Sequence, residues 1–334
     1  MRIGIVGVGF MGTTHAAGWA ETPAQIVGFT AETNDEASKL AAQYKASVYA
    51  SLDEMLPDVD VVDICSPTHL HHEMVLRAAA AGKHVVCEKP LARTTGQAQE
   101  IVAACKQAGV QLLVAHVVRF FPEYALARAA VEGGQIGQPG VIRLHRGSYR
   151  PKKPAGNWFL DEEKSGGILM DLMIHDYDYA CWVAGDVESV SARRVTEAHP
   201  DAPVDYGLVI LGHRAGALSH ISGAWAYPPP TFRTKLEIAG DRGLIEFDSD
   251  STAPIQNLIL RSQADVPDVA LPSSPVSESP YTTQIKEFYR ALANGETPRV
   301  TANDGLRAVQ IAEAAIESAH SGQPVTLHSH AEAS

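Results

Sequence analysis

Arg2-Ile3-Gly4-Ile5-Val6-Gly7-Val8-Gly9-Phe10-Met11-Gly12 opens the chain. A short apolar run breaks into G-x-G-x-x-G, the pattern of a strand turning into a helix around a dinucleotide. Gly7 suits the tight turn, Gly9 lets backbone approach a pyrophosphate, and Gly12 lets the helix pack close on the sheet. The amides that open the helix, around Phe10 and Met11, would meet phosphate at a positive helix end. Such a motif is weak alone and gains weight only from a βαβ context.

Working outward, that context is present. Short runs rich in Val, Ile and Leu predict strands over 2–7, 26–30, 60–65, 84–87 and 111–115. Helical spacing of apolar residues predicts helices over 12–20, 34–45, 70–81 and 94–108. The β-α-β-α order implies a doubly wound parallel sheet, a Rossmann domain over 1–120. In such a sheet ligands bind beyond the carboxyl ends of the strands. Gly7, Glu32, Ser66-Pro67-Thr68, Glu88-Lys89 and His116 all fall just past predicted strand ends, so one crevice is expected to gather them. Glu32 is the acidic candidate for the adenosine hydroxyls. No Arg or Lys stands beside it in sequence to welcome a 2′-phosphate, so NAD is expected, with NADP left open.

After residue 120 the pattern changes. A helix over 122–133 leads to a strand at 140–149 and a helix over 167–184. Alternating strands follow at 187–196, 204–213, 216–226, 234–239 and 244–248, the last two joined by the turn Gly240-Asp241-Arg242-Gly243. This predicts an α+β domain over 121–327 with a large, mostly antiparallel open sheet. Pro228-Pro229-Pro230 predicts a stiff extended loop. A Ser/Pro-rich excursion over 262–280 precedes helices at 281–294 and 303–321, and the final helix can pack back on the first domain. The tail from His328 is expected to be flexible.

Composition excludes several classes. With 27 basic and 39 acidic residues the formal charge is −12, and no basic patch marks a nucleic-acid binder. No window approaches the ~18–20 uninterrupted apolar residues that span a bilayer, and no signal-peptide layout is visible, so a cytoplasmic protein without membrane contact is expected. Cys65, Cys87, Cys105 and Cys181 are scattered, without C-x-x-C, and read as reduced structural thiols. His69-Leu70-His71-His72 tempts a metal reading, but no clustered Cys or carboxylate completes a site; no metal is expected.

The candidate chemistry lies in two later stretches. Asp171 and His175 are four apart on a predicted helix, with Asp178 three beyond, on one face. A carboxylate beside a histidine fixes its tautomer and raises its basicity, which suits general acid–base work; a buried polar brace is the plainer alternative. Asp176 and Asp178 read as structural. Lys89, between Glu88 and Pro90 at a strand end, either exchanges a proton with a substrate hydroxyl beside the nicotinamide or is an ordinary exposed lysine. Trp158, on the loop Asn157-Trp158-Phe159, either stacks on a sugar face or serves as a core aromatic.

Taken together these segments resemble the Gfo/Idh/MocA oxidoreductases, the group containing glucose-fructose oxidoreductase and inositol dehydrogenase. The resemblance rests on the glycine motif, Thr68-His69-Leu70-His71, Ala81 to Leu91 with Glu88-Lys89-Pro90, Arg119-Phe120-Phe121-Pro122, Gly166 to His175, Glu237 to Glu246 and Asp304-Gly305-Leu306. It covers nearly the whole chain. It implies an NAD(P)-dependent enzyme moving hydride between the nicotinamide and a secondary alcohol or carbonyl of a sugar, inositol or related polyol. Lys89, Asp171 and His175 would be the catalytic set. Glu88 would shape the nicotinamide edge, His71 would lie in the cofactor region, and His116 and Arg119 would touch nicotinamide or substrate. The open sheet would serve a homodimer or homotetramer. Relatives also include an NAD-dependent glycosidase and non-catalytic dinucleotide-binding regulators. Two positions depart from the family pattern: Ala31 stands where an Asp often ends the second strand, and Met173 where glycine often stands two before the histidine. Met173 would either narrow the pocket or repack the helix.

Overall fold

The computed structural model describes residues 1–151, 157–197, 204–250 and 278–328. Most of the Ser/Pro-rich excursion and the tail beyond His328 lie outside the described residues.

The first 120 residues alternate strand and helix. β1 (Arg2–Val6), α1 (Phe10–Ala20), β2 (Gln25–Thr30), α2 (Asn34–Tyr44) and β3 (Ser47–Val48) come first. They are followed by α3 (Leu52–Met55), β4 (Val61–Ile64), α4 (Thr68–Ala80), β5 (His84–Glu88), α5 (Thr95–Ala108) and β6 (Leu112–Ala115). The six strands form one parallel sheet in the order β3-β2-β1-β4-β5-β6. β4 to β6 are buried throughout apart from His84, as expected of strands covered on both faces. The sequence reading missed β3 and α3, both too short to show a period.

Next come α6 (Pro122–Glu132), β7 (Pro139–Ser148), α7 (Glu162–Ser165), α8 (Gly167–Asp171) and α9 (Ile174–Ala184). Then follow β8 (Val187–Glu197), β9 (Val204–His213), β10 (Leu218–Trp225), β11 (Phe232–Gly240) and β12 (Leu244–Asp248). The chain ends with α10 (Pro280–Asn294), α11 (Ala302–Ser321) and β13 (Val325–Thr326). The second sheet has seven strands in the order β12-β11-β7-β10-β9-β8-β13, antiparallel except for the β7–β10 pair. The Gly240–Gly243 turn does join a hairpin. Pro228-Pro229-Pro230 is a tight turn instead of an extended loop, closed by the Thr231 amide donating to the Pro228 carbonyl at 2.9 Å.

The chain divides into two compact units, Met1–Phe120 with Pro275–Val309, and Phe121–Ser274 with Gln310–Ser334. The segment returning to the first unit is therefore α10 and the first part of α11, the final helix. Packing explains the return. α10 seats Ile285 against Gly18 of α1, where a Cβ would stand 3.0 Å from Ile285. Phe288 meets Phe120 edge-on, with centroids 6.3 Å apart.

The second unit holds a correction that bears on the site. The predicted helix 167–184 is two segments, α8 and α9, joined at Leu172 and Met173. The Met173 amide donates to the Ile168 carbonyl at 3.1 Å, five residues back, so the turn is wider than an α-helical one. Met173 is fully buried. Its side chain enters a notch in the sheet made by Gly207 and Gly223, which face each other across β9 and β10. A Cβ at Gly207 would lie 2.7 Å from the Met173 sulfur, and one at Gly223 would lie 2.5 Å from its Cγ. Met173 therefore repacks the helix onto the sheet.

Candidate active site

In the first unit the turn after β1 has the geometry its glycines predict. Gly7 has φ +90°, a conformation that strains a residue with a Cβ. A Cβ at Gly12 would stand 1.9 Å from the Gly7 carbonyl oxygen, so the helix approaches the turn more closely than any side chain permits. A Cβ at Gly9 would meet nothing within 4 Å. α1 starts without a side-chain cap and without an acidic residue in its first turn. Its opening amides, at Phe10 and Met11, thus lack a competing carboxylate, and open space lies over Gly9. These residues fit a dinucleotide pyrophosphate.

The strand ends supply the rest of the crevice. Glu32 is exposed, two residues beyond the end of β2, with Ala31 taking the first place. Beside the glycine turn, Val8 and Thr13 share a shallow groove with Glu36, Lys39, Leu40 and Gln43 of α2. Lys39 therefore places a cation by the turn that sequence proximity to Glu32 did not reveal. After β4, Ser66 and Pro67 are half-buried and Thr68 is buried; the Ser66 hydroxyl is turned onto the Met74 sulfur at 3.3 Å. After β5, Glu88 is buried and Lys89 half-buried, and the Lys89 amide donates to Glu88 Oε2 at 3.0 Å. His116 is fully buried just past β6.

Two sequence expectations change in role. His71 is 1% exposed, and its ring nitrogens lie 2.8 Å from the Pro90 and Ser66 carbonyls. It braces the loops after β4 and β5 against each other. Burial pushes its pKa down, against the upward pull of those two carbonyls. Arg119, expected at the substrate, is only 2% exposed. It donates to the Arg299 carbonyl at 2.8 Å and pairs with Asp304 at 3.1 Å. Arg299 returns a bond to the Arg119 carbonyl at 2.8 Å and covers the Phe120 ring. Arg119 is a clamp on the returning segment. Burial works to raise the Asp304 pKa, but Arg119 and the Thr301 bonds hold it below the usual carboxylate range.

Sequence reasoning missed a buried network under the strand ends. His15 of α1, Asp63 of β4 and Trp19 of α1 are all fully buried. His15 Nδ1 is 3.0 Å from both Asp63 oxygens, and Trp19 Nε1 donates to Asp63 Oδ2 at 2.7 Å. The Cys65 thiol donates to Asp63 Oδ1 at 3.6 Å. His15, Asp63 and Cys65 are the one group of possible metal ligands among the described residues. Both Asp63 oxygens already accept hydrogen bonds, so the group reads as a hydrogen-bonded network. The signal available in the sequence was Asp63 itself, an acid inside Val61-Val62-Asp63-Ile64, where a charge demands a partner.

In the second unit, Asp171 ends α8 and His175 is the second residue of α9. The wide turn at Met173 separates them, so they stand on two consecutive helical segments and not on one continuous helix. His175 is the one residue from Ser165 to Cys181 that is not buried. Asp176 beside it is fully buried and takes a bidentate bond from Arg146 of β7, at 2.8 and 2.9 Å. Asp178 is buried too. Trp158 stacks on its neighbour Phe159, with centroids 4.0 Å apart at 25°, so one face of the indole is covered.

A parallel sheet bearing an uncapped glycine turn, followed in the chain by a unit with an open mixed sheet, defines a two-unit dinucleotide-binding protein. The chain belongs to the Gfo/Idh/MocA oxidoreductase family. Residues 1–116 match the family's NAD-binding Rossmann fold and residues 128–327 its C-terminal alpha/beta domain. It is 29% identical over 340 residues to a myo-inositol 2-dehydrogenase of Thermotoga maritima, covering 98% of each chain. Among solved structures, GenD2 from gentamicin A biosynthesis, in complex with NAD, superposes with TM-score 0.85 at 26% identity, covering 98% of this chain and 97% of that one. Levoglucosan dehydrogenase, in complex with NADH and levoglucosan, gives TM-score 0.83 at 25% identity and covers 98% and 99%.

Proposed function

We propose that the protein is an NAD-dependent dehydrogenase of a sugar, inositol or related polyol, interconverting a secondary alcohol and its carbonyl. The observation that carries this reading is the open, uncapped glycine turn over Gly9, followed along the same sheet edge by Glu88 and Lys89. The match to relatives that are named dehydrogenases of cyclitols and sugars supports it.

The glycine turn and the first amides of α1 would hold the pyrophosphate, and Glu32 the adenosine hydroxyls. Bound NAD supplies the hydride acceptor. Lys89 and His175 are the groups that take or return the hydroxyl proton of the reacting carbinol, and Asp171 orients its catalytic partner. Glu88 fixes the backbone at Lys89 by accepting its amide. Trp158, stacked on Phe159, is the aromatic candidate for contact with a sugar ring.

The second sheet supports self-association. Val195, Tyr206, Ile210 and Leu218 are exposed on one face, with Val195 directly opposite Tyr206 across β8 and β9. We assign this face to a second copy of the chain in a homodimer or homotetramer.

The deciding test follows the reduced-nicotinamide absorbance while the protein meets sugars, inositols and their keto forms, with NAD(H) and NADP(H) in parallel. Turnover by the wild type and its loss in Lys89→Ala and His175→Ala support the reading. Tight NADH binding without turnover on any of them would overturn it in favour of a glycosidase or a regulator.

A further inference from the structure

We propose that His15 is a positioning residue for hydride transfer: clasped by Asp63, it holds the Glu88 carboxylate and through it the Glu88-Lys89-Pro90 turn. This inference rests on the dehydrogenase reading above and assigns a role to a cluster that reading leaves idle.

The ring stands between two carboxylates. Nδ1 is 3.0 Å from both Asp63 oxygens, and Nε2 is 3.0 Å from Glu88 Oε1. The second contact is a charge pairing off the line of a good hydrogen bond. Glu88 Oε2 in turn accepts the Lys89 amide at 3.0 Å. A continuous set of contacts thus runs from Trp19 through Asp63, His15 and Glu88 to the backbone of Lys89, joining α1, β4 and β5. Each of the first four side chains is less than a tenth exposed.

Charge balance explains why a histidine is needed. Two carboxylates buried this close to each other repel, and each must be paired or neutralised. A ring carrying hydrogen on both nitrogens satisfies both at once. Burial opposes that charge, but Asp63 outweighs it and holds the His15 pKa well above that of an ordinary histidine. A neutral side chain here leaves Asp63 with Trp19 and the Cys65 thiol but no cation, and frees Glu88 to turn toward water. The turn that presents Lys89 then loses its support. A displacement of an ångström at a reacting group is enough to cost up to about a hundredfold in rate.

The test has two parts. Long-range proton–nitrogen NMR on histidine-labelled wild type at pH 7, with and without NADH, reads the state of the ring directly; a signal with both nitrogens protonated is expected, and a neutral His15 ring would overturn the proposal. The second part is a cycle of His15→Asn, Glu88→Gln and the double variant, assayed on whichever polyol the wild type turns over. His15→Asn is expected to lower kcat by roughly tenfold, with KM and NADH affinity changed less than about threefold, and to add nothing once Glu88→Gln is present. Folded His15→Asn protein with wild-type kcat, or losses that simply multiply in the double variant, would overturn the role. If His15→Asn does not fold, Asp63→Asn takes its place in the same cycle. A wild type inactive on every polyol defeats the dehydrogenase reading, and the NMR result then decides the His15 contact independently.

Discussion

Both units use glycines to keep a space clear of side chains, and they use the space differently. In the first unit, a Cβ at Gly9 would point into open space beside the uncapped start of α1. In the second, Gly207 and Gly223 face one another across β9 and β10, and Met173 fills the gap they leave. The first space fits a dinucleotide phosphate, and the second is filled by the chain itself. The same residue type therefore marks binding in one sheet and internal packing in the other. Buried charge divides in a similar way. In the first unit it gathers under the strand ends, around His15, Asp63 and Glu88. In the second, Arg146 and Asp176 form a buried bidentate pair, and Arg194 bridges Asp205, bidentate, and Glu162.

This contrast can be broken experimentally. Asp176→Asn leaves Arg146 buried beside a neutral group and is expected to cost about 3–5 kcal/mol, measured by urea unfolding; a loss under about 1 kcal/mol would show that the pair is not a buried brace. Gly223→Ala forces a methyl against Met173 and is expected to cost about 1–3 kcal/mol. Adding Met173→Ala should recover most of that loss, and a double variant as unstable as the single would refute the notch. Gly9→Ala, in contrast, should leave unfolding within about 0.5 kcal/mol of wild type while weakening NADH binding, by fluorescence titration, at least roughly tenfold. The pH dependence sharpens the comparison further. The folded pKa of Asp304 is depressed, so its stabilising contribution is present above the unfolded carboxylate pKa and is lost as pH falls through the lower folded value. Arg119→Met should flatten that acid limb of the stability profile. Smallest of all, Leu218→Asp on the open sheet should change stability by no more than about 0.5 kcal/mol yet lower the mass measured by light scattering if that face holds a second copy.

The parts legible in sequence are those with a short-range cause. The glycine turn, the βαβ order and the Gly240–Gly243 hairpin each follow from residues a few positions apart. The break between α8 and α9 does not, because its cause is the Gly207–Gly223 notch on strands that come later in the chain. The packing of Arg119 is illegible in sequence for a related reason. Its position after β6 suggested a ligand contact, while its partners Arg299 and Asp304 lie far along the chain. The catalytic candidates are legible through the family's motifs, and their local setting is not: only the structure shows that His175 alone is uncovered in an otherwise buried stretch.

The interrupted membership of the first unit bears on how the chain is made. Arg119 finds the carbonyl that fixes it 180 residues later. At about 5–20 residues per second of synthesis, that partner emerges from the ribosome roughly 10–35 s after Arg119 does. Until then the nascent nucleotide-binding unit lacks α10 over Gly18 and carries a cation with no acid to meet it. Completion of this unit is thus postponed until α10 and Arg299 have emerged, and a fragment ended at residue 120 would remain in the unfinished state that the growing chain passes through.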